Sequence, residues 1–376
     1  MDNILIKNGL LFEPTNMTLK VGDIAISEGM IIPTAVSRPD IEINAEGCIV
    51  TPGLIDFHLH CYTCGTDGSN NPDTFCLPNG VTTCIDAGSS GSANFPGFYN
   101  EVIVRSTTRV LALLHVAPEG LTTGLHAENQ TVEDWDRPRI KRLFDKYSAL
   151  VGLKVRQGHN VCDPYGLHDE PLIEAVKLGS ELGKKVVVHV NDPNIDCGKI
   201  ASELRPGDVY CHMYAGNEEN ILDANGKIKE EVVRARDRGV LFDCCNGRGN
   251  FLFSVAESAI REGFMPDIIS SDNNPLTNYK HPLISLPRLL SKYLMFGMSL
   301  QDVLEACTIT PARWLGMEDL ATLAPGTTAD ISIFKLKDKN ILHMDKTGAK
   351  RWGSQVLVPQ MTIREGEIVY AQTDFQ

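Results

Sequence analysis

Short apolar runs alternate with amphipathic segments between residues 50 and 320. Eight of these runs have the length and composition of β-strands, at residues 54–60, 81–87, 110–116, 150–155, 185–190, 208–212, 240–244 and 267–271. Helices are predicted between several of them, at residues 169–182, 230–238, 251–262 and 283–296. Such alternation is typical of an α/β fold with a parallel sheet, either a closed barrel or an open doubly wound sheet. The count of eight strands favours a (β/α)8 TIM barrel.

Both ends of the chain have a different sequence pattern, which predicts short strands separated by turns. Residues 4–7 and 23–26 are examples near the N-terminus, and residues 329–334 and 355–364 are examples near the C-terminus. We therefore expect residues 1–50 and 321–376 to form one small β-sheet domain together. Residues 51–320 would then form the barrel domain.

The composition restricts the partners and the compartment. A formal net charge of -13 argues against binding to nucleic acid or to an acidic membrane surface. Eleven cysteines, an odd number scattered through apolar stretches, indicate reduced thiols and not a disulfide framework. The chain shows no basic leader and no apolar run of membrane length. We expect a cytoplasmic protein, commonly a homo-oligomer at this size, whose partner is a small molecule.

Two histidines end the first predicted barrel strand. Side chains two residues apart in a strand point to the same face, so Asp56, His58 and His60 are expected to share one face. The opposite face would carry Ile55, Phe57 and Leu59. Two neighbouring imidazoles at a strand end are what a metal site requires, although a His-x-His sequence also occurs by chance.

Further polar side chains lie at or near the ends of later strands, where barrels of this kind place their chemistry. Lys154 is on strand four, and His189 and His212 end strands five and six. Asp272 follows strand eight. An inward-facing lysine is costly to bury as an ammonium, so Lys154 either forms a buried salt bridge or reacts with carbon dioxide to give an anionic carbamate. A lone histidine there is more often a core residue, and a lone aspartate is more often a turn cap.

The cysteines give a weaker signal. Cys61-x-x-Cys64 directly follows His60, but a four-thiolate zinc site would need a second such pair at a suitable distance, which the sequence does not contain. The neighbouring pair Cys244 and Cys245 is equally compatible with inert packing. A redox or metal-binding role is therefore not predicted for these thiols.

The ordered set of strand-end residues resembles the amidohydrolase superfamily, in its binuclear subgroup with a carboxylated lysine. The segment Pro52-Gly53-x-Ile55-Asp56-x-His58-x-His60 is similar to the first barrel strand of that family. In that family the chain passes from the barrel back into the small β domain through a characteristic segment. The sequence Thr310-Pro311-Ala312-x-x-Leu315-Gly316, followed by Pro325-Gly326-x-x-Ala329-Asp330-Ile331, resembles that segment. More narrowly, the segments 86–91 and 152–156 resemble dihydroorotase-like proteins and a group described as deacetylases, esterases or adenine deaminases.

This resemblance implies a metal centre with defined ligands. His58, His60 and Asp272 would hold a more buried ion, and His189 and His212 a more exposed one, with carboxylated Lys154 bridging the two. Zinc suits imidazole and carboxylate ligands, although manganese, iron or nickel fit similar sites. A hydroxide made available at neutral pH would attack a carbonyl carbon. Asp272 would act as the general acid and base.

The resemblance also implies a function. We expect hydrolysis of an ester or amide bond, such as that of an acyl or acetyl group, in a small carboxylate-bearing substrate. A cyclic amidase or a deaminase is an alternative, and so is a catalytically silent structural homologue. Dihydroorotases commonly carry an arginine where this chain has Tyr62, and deaminases of the one-metal type have a glutamate where this chain reads His189-Val190-Asn191. Both departures disfavour those activities.

Substrate contacts are predicted at a few loop positions. Arg156 and Arg248 are candidates for binding a carboxylate, because a guanidinium group matches its geometry. Ser89 and Ser90, in a glycine-flanked segment after strand two, are candidates for offering backbone N–H groups to an anion. Tyr62 is a candidate because of its position two residues after His60. A structural salt bridge or a loop turn is the alternative for each.

Overall fold

A computed structural model describes residues 2–33, 38–122, 127–216 and 218–375. These residues form the following strands: β1 Ile4–Glu13, β2 Thr18–Ser27, β3 Met30–Ile32, β4 Ile41–Asn44, β5 Ile49–Pro52, β6 Leu54–Leu59, β7 Val81–Gly91, β8 Arg109–His115, β9 Leu150–Gln157, β10 Lys185–Val190, β11 Val209–Cys211, β12 Leu241–Asp243, β13 Ile331–Met344, β14 Lys350–Arg364 and β15 Glu367–Ala371.

The helices follow the predicted alternation. They are α1 Pro72–Cys76, α2 Phe95–Glu101, α3 Arg137–Lys146, α4 His159–Cys162, α5 Glu170–Leu182, α6 Cys197–Glu203, α7 Glu230–Asp237, α8 Phe253–Arg261, α9 Pro275–Asn278, α10 Leu286–Met295, α11 Leu300–Glu305 and α12 Ile309–Leu315. The four predicted helices correspond to α5, α7, α8 and α10, with ends displaced by at most a few residues. None of the described helices has the length and hydrophobicity needed to cross a membrane.

Strands β6 to β12 form one parallel sheet in sequence order, which is the wall of the barrel. The predicted eighth strand, residues 267–271, is not a regular strand; it forms a single bridge from Ile268 to Asp243. Backbone bonds nevertheless join this segment to β12 on one side, through Cys244 and Asn246, and to β6 on the other, through Asp272. The barrel prediction is therefore confirmed, with an irregular closing segment.

Side chains take the place of regular ladder bonds in that closing segment. The Asp56 carboxylate accepts hydrogen bonds from the Ser271 backbone N–H at 2.9 Å and from the Ser271 hydroxyl at 2.5 Å. Ser270 donates its hydroxyl to Asp243 at 2.7–2.8 Å. Because the Ser271 backbone N–H donates to a side chain, it does not form a backbone hydrogen bond with a neighbouring strand, and the segment departs from strand geometry. Sequence periodicity carries no information about this competition.

The barrel wall separates two apolar layers. Outward-facing residues such as Ile55 and Leu59 pack in the layer between strands and helices, whereas Phe57 lies in a separate inner cluster. The prediction that Phe57 shares the outer face is therefore wrong. The pairing register of β6 with β7 shifts between Asp56 and Leu59, which breaks the strict alternation there. The Phe57 ring instead packs edge-on against Trp314, with ring centroids 4.8 Å apart.

Both termini contribute to a second sheet, as predicted. Its strand order is β15-β14-β13-β5-β1-β2-β3, with β4 paired to β1. The β5–β13 pairing joins the N-terminal strands to the C-terminal hairpin, with Val50 opposite Ile333. This sheet has its own apolar core, which includes Ile6, Ile26 and Ile363. The exact domain limits at residues 50 and 321 remain predictions.

Candidate metal centre

Five of the six predicted ligand residues lie on or directly after barrel strands, and the sixth, Asp272, follows the irregular closing segment. Three short distances connect them in pairs. Lys154 Nζ lies 3.3 Å from His58 Nε2, and His60 Nε2 lies 3.4 Å from Asp272 Oδ1. His189 Nδ1 lies 2.9 Å from His212 Nε2. The His58 ring links these pairs into one group, since its centroid lies 5.3 Å from that of His212 and 5.8 Å from that of His60.

Left-handed backbone conformations occur at the ends of the last barrel strands. The φ angle is 62° at His212, 38° at Cys245 and 48° at Asp272. Residues with a Cβ adopt this region at an energetic cost, and such residues concentrate at functional sites. Tyr210 faces the outer layer, so strict alternation would also send His212 outward. The left-handed turn at His212 instead brings its ring against His189.

Ser89 contacts a predicted ligand instead of an open pocket. Its hydroxyl lies 3.0 Å from His60 Nδ1, and its backbone N–H donates to Asp86 at 2.7 Å. Because that N–H is already bonded, it is not available to a substrate anion. Ser90 is fully buried within β7. The structure therefore does not support the predicted anion-binding role of this segment, and it gives Ser89 the role of orienting His60.

Asp243 is a buried carboxylate that sequence reasoning missed. It accepts hydrogen bonds from Ser270, two residues before Asp272, and from the Cys245 backbone N–H at 2.9 Å. The Cys245 carbonyl in turn accepts from His212 Nδ1 at 2.8 Å. His58 Nδ1 is buried, has no hydrogen-bond partner among the described residues, and lies 3.9 Å from Asp243 Oδ2. Asp243 thus lies near His58 and is connected to His212 through Cys245, and a small ring shift would give His58 an acceptor.

We expect the Asp243→Asn substitution to lower metal affinity roughly 10- to 100-fold, as loss of an outer-shell carboxylate typically does. The amide has nearly the same shape, but its NH2 group cannot accept the His58 Nδ1 proton. Metal affinity would be measured by competition with a chelator, and thermal unfolding would report on folding. Asp73→Asn is the control, because Asp73 also accepts backbone N–H hydrogen bonds, which come from Thr107 and Thr108 and not from the site. Equal affinities in the two variants would contradict this role for Asp243.

The protonation states of the predicted ligand residues are compatible with binding of a metal cation. Burial lowers the pKa of Lys154, His58 and His189, and it lowers that of His212 to about 4. Burial alone would raise the pKa of Asp272, but hydrogen bonding to His60 and nearby imidazoles hold it below its ordinary value. The site therefore combines neutral imidazoles, which have free lone pairs, with an anionic carboxylate.

A metal ion fits the residues that are present. Ligand atoms of His58, His60 and Asp272 lie within 4.8 Å of one another, as one coordination sphere requires. In the part of the chain that the structure describes, the buried Nδ1 of His58 has no hydrogen-bond partner, which is a costly arrangement unless the ring is held by a further interaction. Lys154 Nζ contacts His58 Nε2 and forms no ion pair within the described part of the chain, so the buried-salt-bridge alternative does not account for it.

Two cysteines for which the sequence analysis predicted no metal-binding role also lie in this region. Cys245 groups with His58 and His212, and Cys211 groups with His58 and Asp243. The position of Cys211 directly before His212 was an available signal. In the described residues, Cys61 is not a member of these groups; it is buried and donates its backbone N–H to Asp86. Cys64 is exposed and likewise outside them.

Close packing fixes the position of Lys154. Gly88 has a φ of +88°, and a Cβ atom added there would lie 2.7 Å from Lys154 Cγ. A glycine is therefore required at position 88 of β7, which β8 separates from β9, for both conformation and space. On the other side of the site, a Cβ on Gly247 would lie 2.1 Å from Asp272 Oδ2. The backbone thus approaches both side chains closely.

The remaining predicted substrate contacts have different surroundings. Tyr62 is buried and packs its ring against Phe98, with centroids 4.8 Å apart, so aromatic packing accounts for its position. Arg248 donates to the backbone carbonyls of Leu276, Lys280 and Pro282. These hydrogen bonds hold α9 and the loop that follows it in place. Arg156 forms an ion pair with Glu128 at 2.8 Å.

A (β/α)8 barrel with imidazoles, a buried lysine and an aspartate at its strand ends has the architecture of a metal-dependent hydrolase. A profile of the amidohydrolase family matches residues 49–369. The chain belongs to the amidohydrolase family, and it is a hydrolase.

Known relatives agree with this assignment but differ in their described activities. A deacetylase from Brucella anthropi is 31% identical over 353 residues, which are 92% of this chain and 85% of that protein. A solved adenine deaminase has a TM-score of 0.89 at 28% identity, covering 98% of this chain and all of the other. A solved dihydroorotase also has a TM-score of 0.89, at 29% identity, covering 98% and 99% of the two chains.

Proposed function

We propose that this protein is a metal-dependent hydrolase of an acyl ester or amide, such as an acetyl derivative of a small carboxylate-bearing molecule. The observation that carries the proposal is the convergence of Lys154 with His58, His60 and Asp272 at the barrel end. The deacetylase relative supports the acyl substrate class. Metal identity, lysine carboxylation and substrate class are all parts of this proposal.

Lys154 is proposed to carry a carbamate, which would supply an anionic ligand shared by two divalent ions, with zinc as the expected metal. Burial favours its neutral amine, and a neutral amine is the form that adds to carbon dioxide. The Nζ–C bond forms while one proton leaves the nitrogen, and the product is an anion. His58, His60 and Asp272 would hold one ion, and His189 and His212 the other. Ions bound there would lower the pKa of water and polarise a carbonyl, which is the chemistry that hydrolysis needs.

Asp272 is proposed to move the proton. Its Oδ1 atom faces His60, and its Oδ2 atom accepts a 2.6 Å hydrogen bond from Asn250. The carboxylate is anionic at neutral pH, so it can take a proton from the attacking water. It can then give that proton to the leaving amine or alcohol, which must be protonated to depart. Asn250 would fix the carboxylate orientation during both transfers.

A purified preparation grown with zinc and bicarbonate should hydrolyse acetylated amino or hydroxy acids. Intact-mass measurement should show a labile adduct of one carbon dioxide, and metal analysis should find two ions per chain. Dihydroorotate, hydantoin and adenine would be assayed in parallel. A fully metal-loaded protein that turns over none of the acetylated acids would overturn the proposal.

The second candidate is a cyclic amidase or deaminase, and the two solved neighbours with TM-scores of 0.89 favour it. Turnover of dihydroorotate or adenine, without turnover of acetylated acids, would decide for it. The buried orientation of Tyr62 argues against dihydroorotate, because its ring packs against Phe98 and offers no carboxylate anchor.

A further inference from the structure

We propose that Lys292 and Tyr293 are positioning residues, which from helix α10 hold Asn246 and thereby hold the Asn250 amide against the Asp272 carboxylate. This inference rests on the proposed proton transfer by Asp272. It adds to that reaction two residues of a helix that packs on the outside of the barrel sheet.

Lys292 is a buried cation that has no anion to pair with. It is 5% exposed, and it forms no ion pair with any residue that the structure describes. Its ammonium group donates to Asn246 Oδ1 at 3.2 Å and lies 3.8 Å from the centre of the Phe251 ring. Burial lowers the pKa of this group to about 7. Because burying an ammonium without a counterion is costly, these two contacts, and not a gain in stability, indicate what the lysine does.

Tyr293 supplies a second donor to the same oxygen. It is fully buried, and its hydroxyl donates to Asn246 Oδ1 at 2.9 Å. An amide oxygen has two lone pairs, so the two donors of α10 use both of them. The Asn246 backbone N–H donates to the carbonyl of Ser270, two residues before Asp272, at 3.1 Å. Asn246 is thus fixed between α10 and the closing segment that leads to Asp272.

The segment 246–250 needs such external contacts. Its second and fourth residues are Gly247 and Gly249, and glycine leaves a backbone conformationally free. Lys292 contacts both ends of the segment, at its first residue and at Phe251, directly after its last. One side chain of α10 therefore holds together the two ends of the segment that carries Asn250.

The same segment contacts the proposed proton carrier. Asn250 Nδ2 donates to Asp272 Oδ2 at 2.6 Å, and the Gly247 backbone closely approaches that oxygen. A movement of Asn250 by about 1 Å would take this contact beyond hydrogen-bond length. A misplacement of that size can lower a rate roughly 100-fold. Because the segment contacts the carboxylate that moves the proton, its displacement should lower kcat more than it changes KM.

The test uses two variants that each remove one donor to Asn246. Lys292→Met fills a similar space without the ammonium, and Tyr293→Phe removes a single hydroxyl. For an acetylated acid that the wild type hydrolyses, we expect kcat to fall roughly 10- to 100-fold in Lys292→Met, as loss of an outer-shell contact typically does. The fall in Tyr293→Phe should be smaller, and KM should change little in both. Metal content, measured in each preparation, should stay at the wild-type level.

Further variants separate positioning from stability. Asn246→Asp keeps oxygen acceptors for both donors and gives Lys292 an anion, so its kcat should be well above that of Asn246→Leu, which has no acceptor. Ser291→Ala is the matched control on α10. The buried Ser291 hydroxyl accepts from the Leu357 N–H of β14 at 3.0 Å, so its loss should lower the unfolding temperature and leave kcat close to wild type.

Hydrogen exchange of the amides at 247–250 gives a readout that does not depend on activity. It should be faster in Lys292→Met and Tyr293→Phe than in the wild type and in Ser291→Ala. Folded, metal-loaded Lys292→Met and Tyr293→Phe proteins with wild-type kcat would overturn the proposal, and so would a loss of kcat that only follows a loss of metal. If the wild type hydrolyses no acetylated compound, the proposed function fails. Unchanged exchange would then overturn the positioning role, and faster exchange would support it.

Discussion

Asp272→Asn is expected to lower kcat roughly 100- to 10,000-fold, the range that a general acid and base contributes. The amide has the shape of the carboxylate, so Asn250 and His60 keep a partner. The amide cannot take up the proton of the attacking water, and KM should therefore change much less than kcat. Steady-state kinetics on an acetylated acid would measure both parameters.

Metal content must be measured in the same variant, because Asp272 is also a proposed ligand. A variant that keeps both ions and loses kcat indicates proton transfer, whereas one that loses an ion indicates coordination. Asp302→Asn is a suitable control, since Asp302 caps α11 through Ser299. If kcat of Asp272→Asn stays within a few-fold of wild type at full metal content, Asp272 does not move the proton.

Lys154→Met should remove the carbon dioxide adduct and at least one metal ion, with an activity loss greater than the roughly 10- to 100-fold cost of losing an outer-shell hydrogen bond. Methionine fills the buried space that the lysine side chain occupies, but it has no amine to carboxylate. Metal analysis, intact-mass measurement and kinetics would be made on the same preparation.

The neighbouring strand offers a matched control for Lys154. Lys185 also projects from a barrel strand and is half-buried, but its Nζ donates to the Trp314 carbonyl and it lies at the opposite end of β10 from His189. Lys185→Met should therefore keep both the adduct and the metal. Full metal occupancy and activity in Lys154→Met would refute the bridging role.

The periodicity of the sequence was sufficient to predict the barrel and to predict which strand face carries several of the site residues. An alternating pattern assigns each residue of a strand to one face, which is why the sequence alone places Lys154 and His189 on the inner face of the barrel. The same rule failed at Phe57, because the register of β6 shifts there. It also gave no account of His212, whose left-handed backbone directs its ring toward His189.

The contacts that orient the site were not predictable, because they join residues distant in sequence. Asp243 meets Ser270, and Glu128 meets Arg156 across 28 positions. A single sequence does not specify which buried acid faces which strand end. The contact between Ser89 and His60 was not predicted for the same reason, since His60 follows another strand.

The sequence by itself determined the alternation of strands and helices and the residue types at each strand end, because periodicity and side-chain chemistry are local properties. Only the tertiary structure decided which of these side chains meet. The closing segment after β12 brings Asp272 to His60, and the segment before α3 brings Glu128 to Arg156. Those approaches depend on long-range hydrogen bonds and packing, which no local pattern encodes.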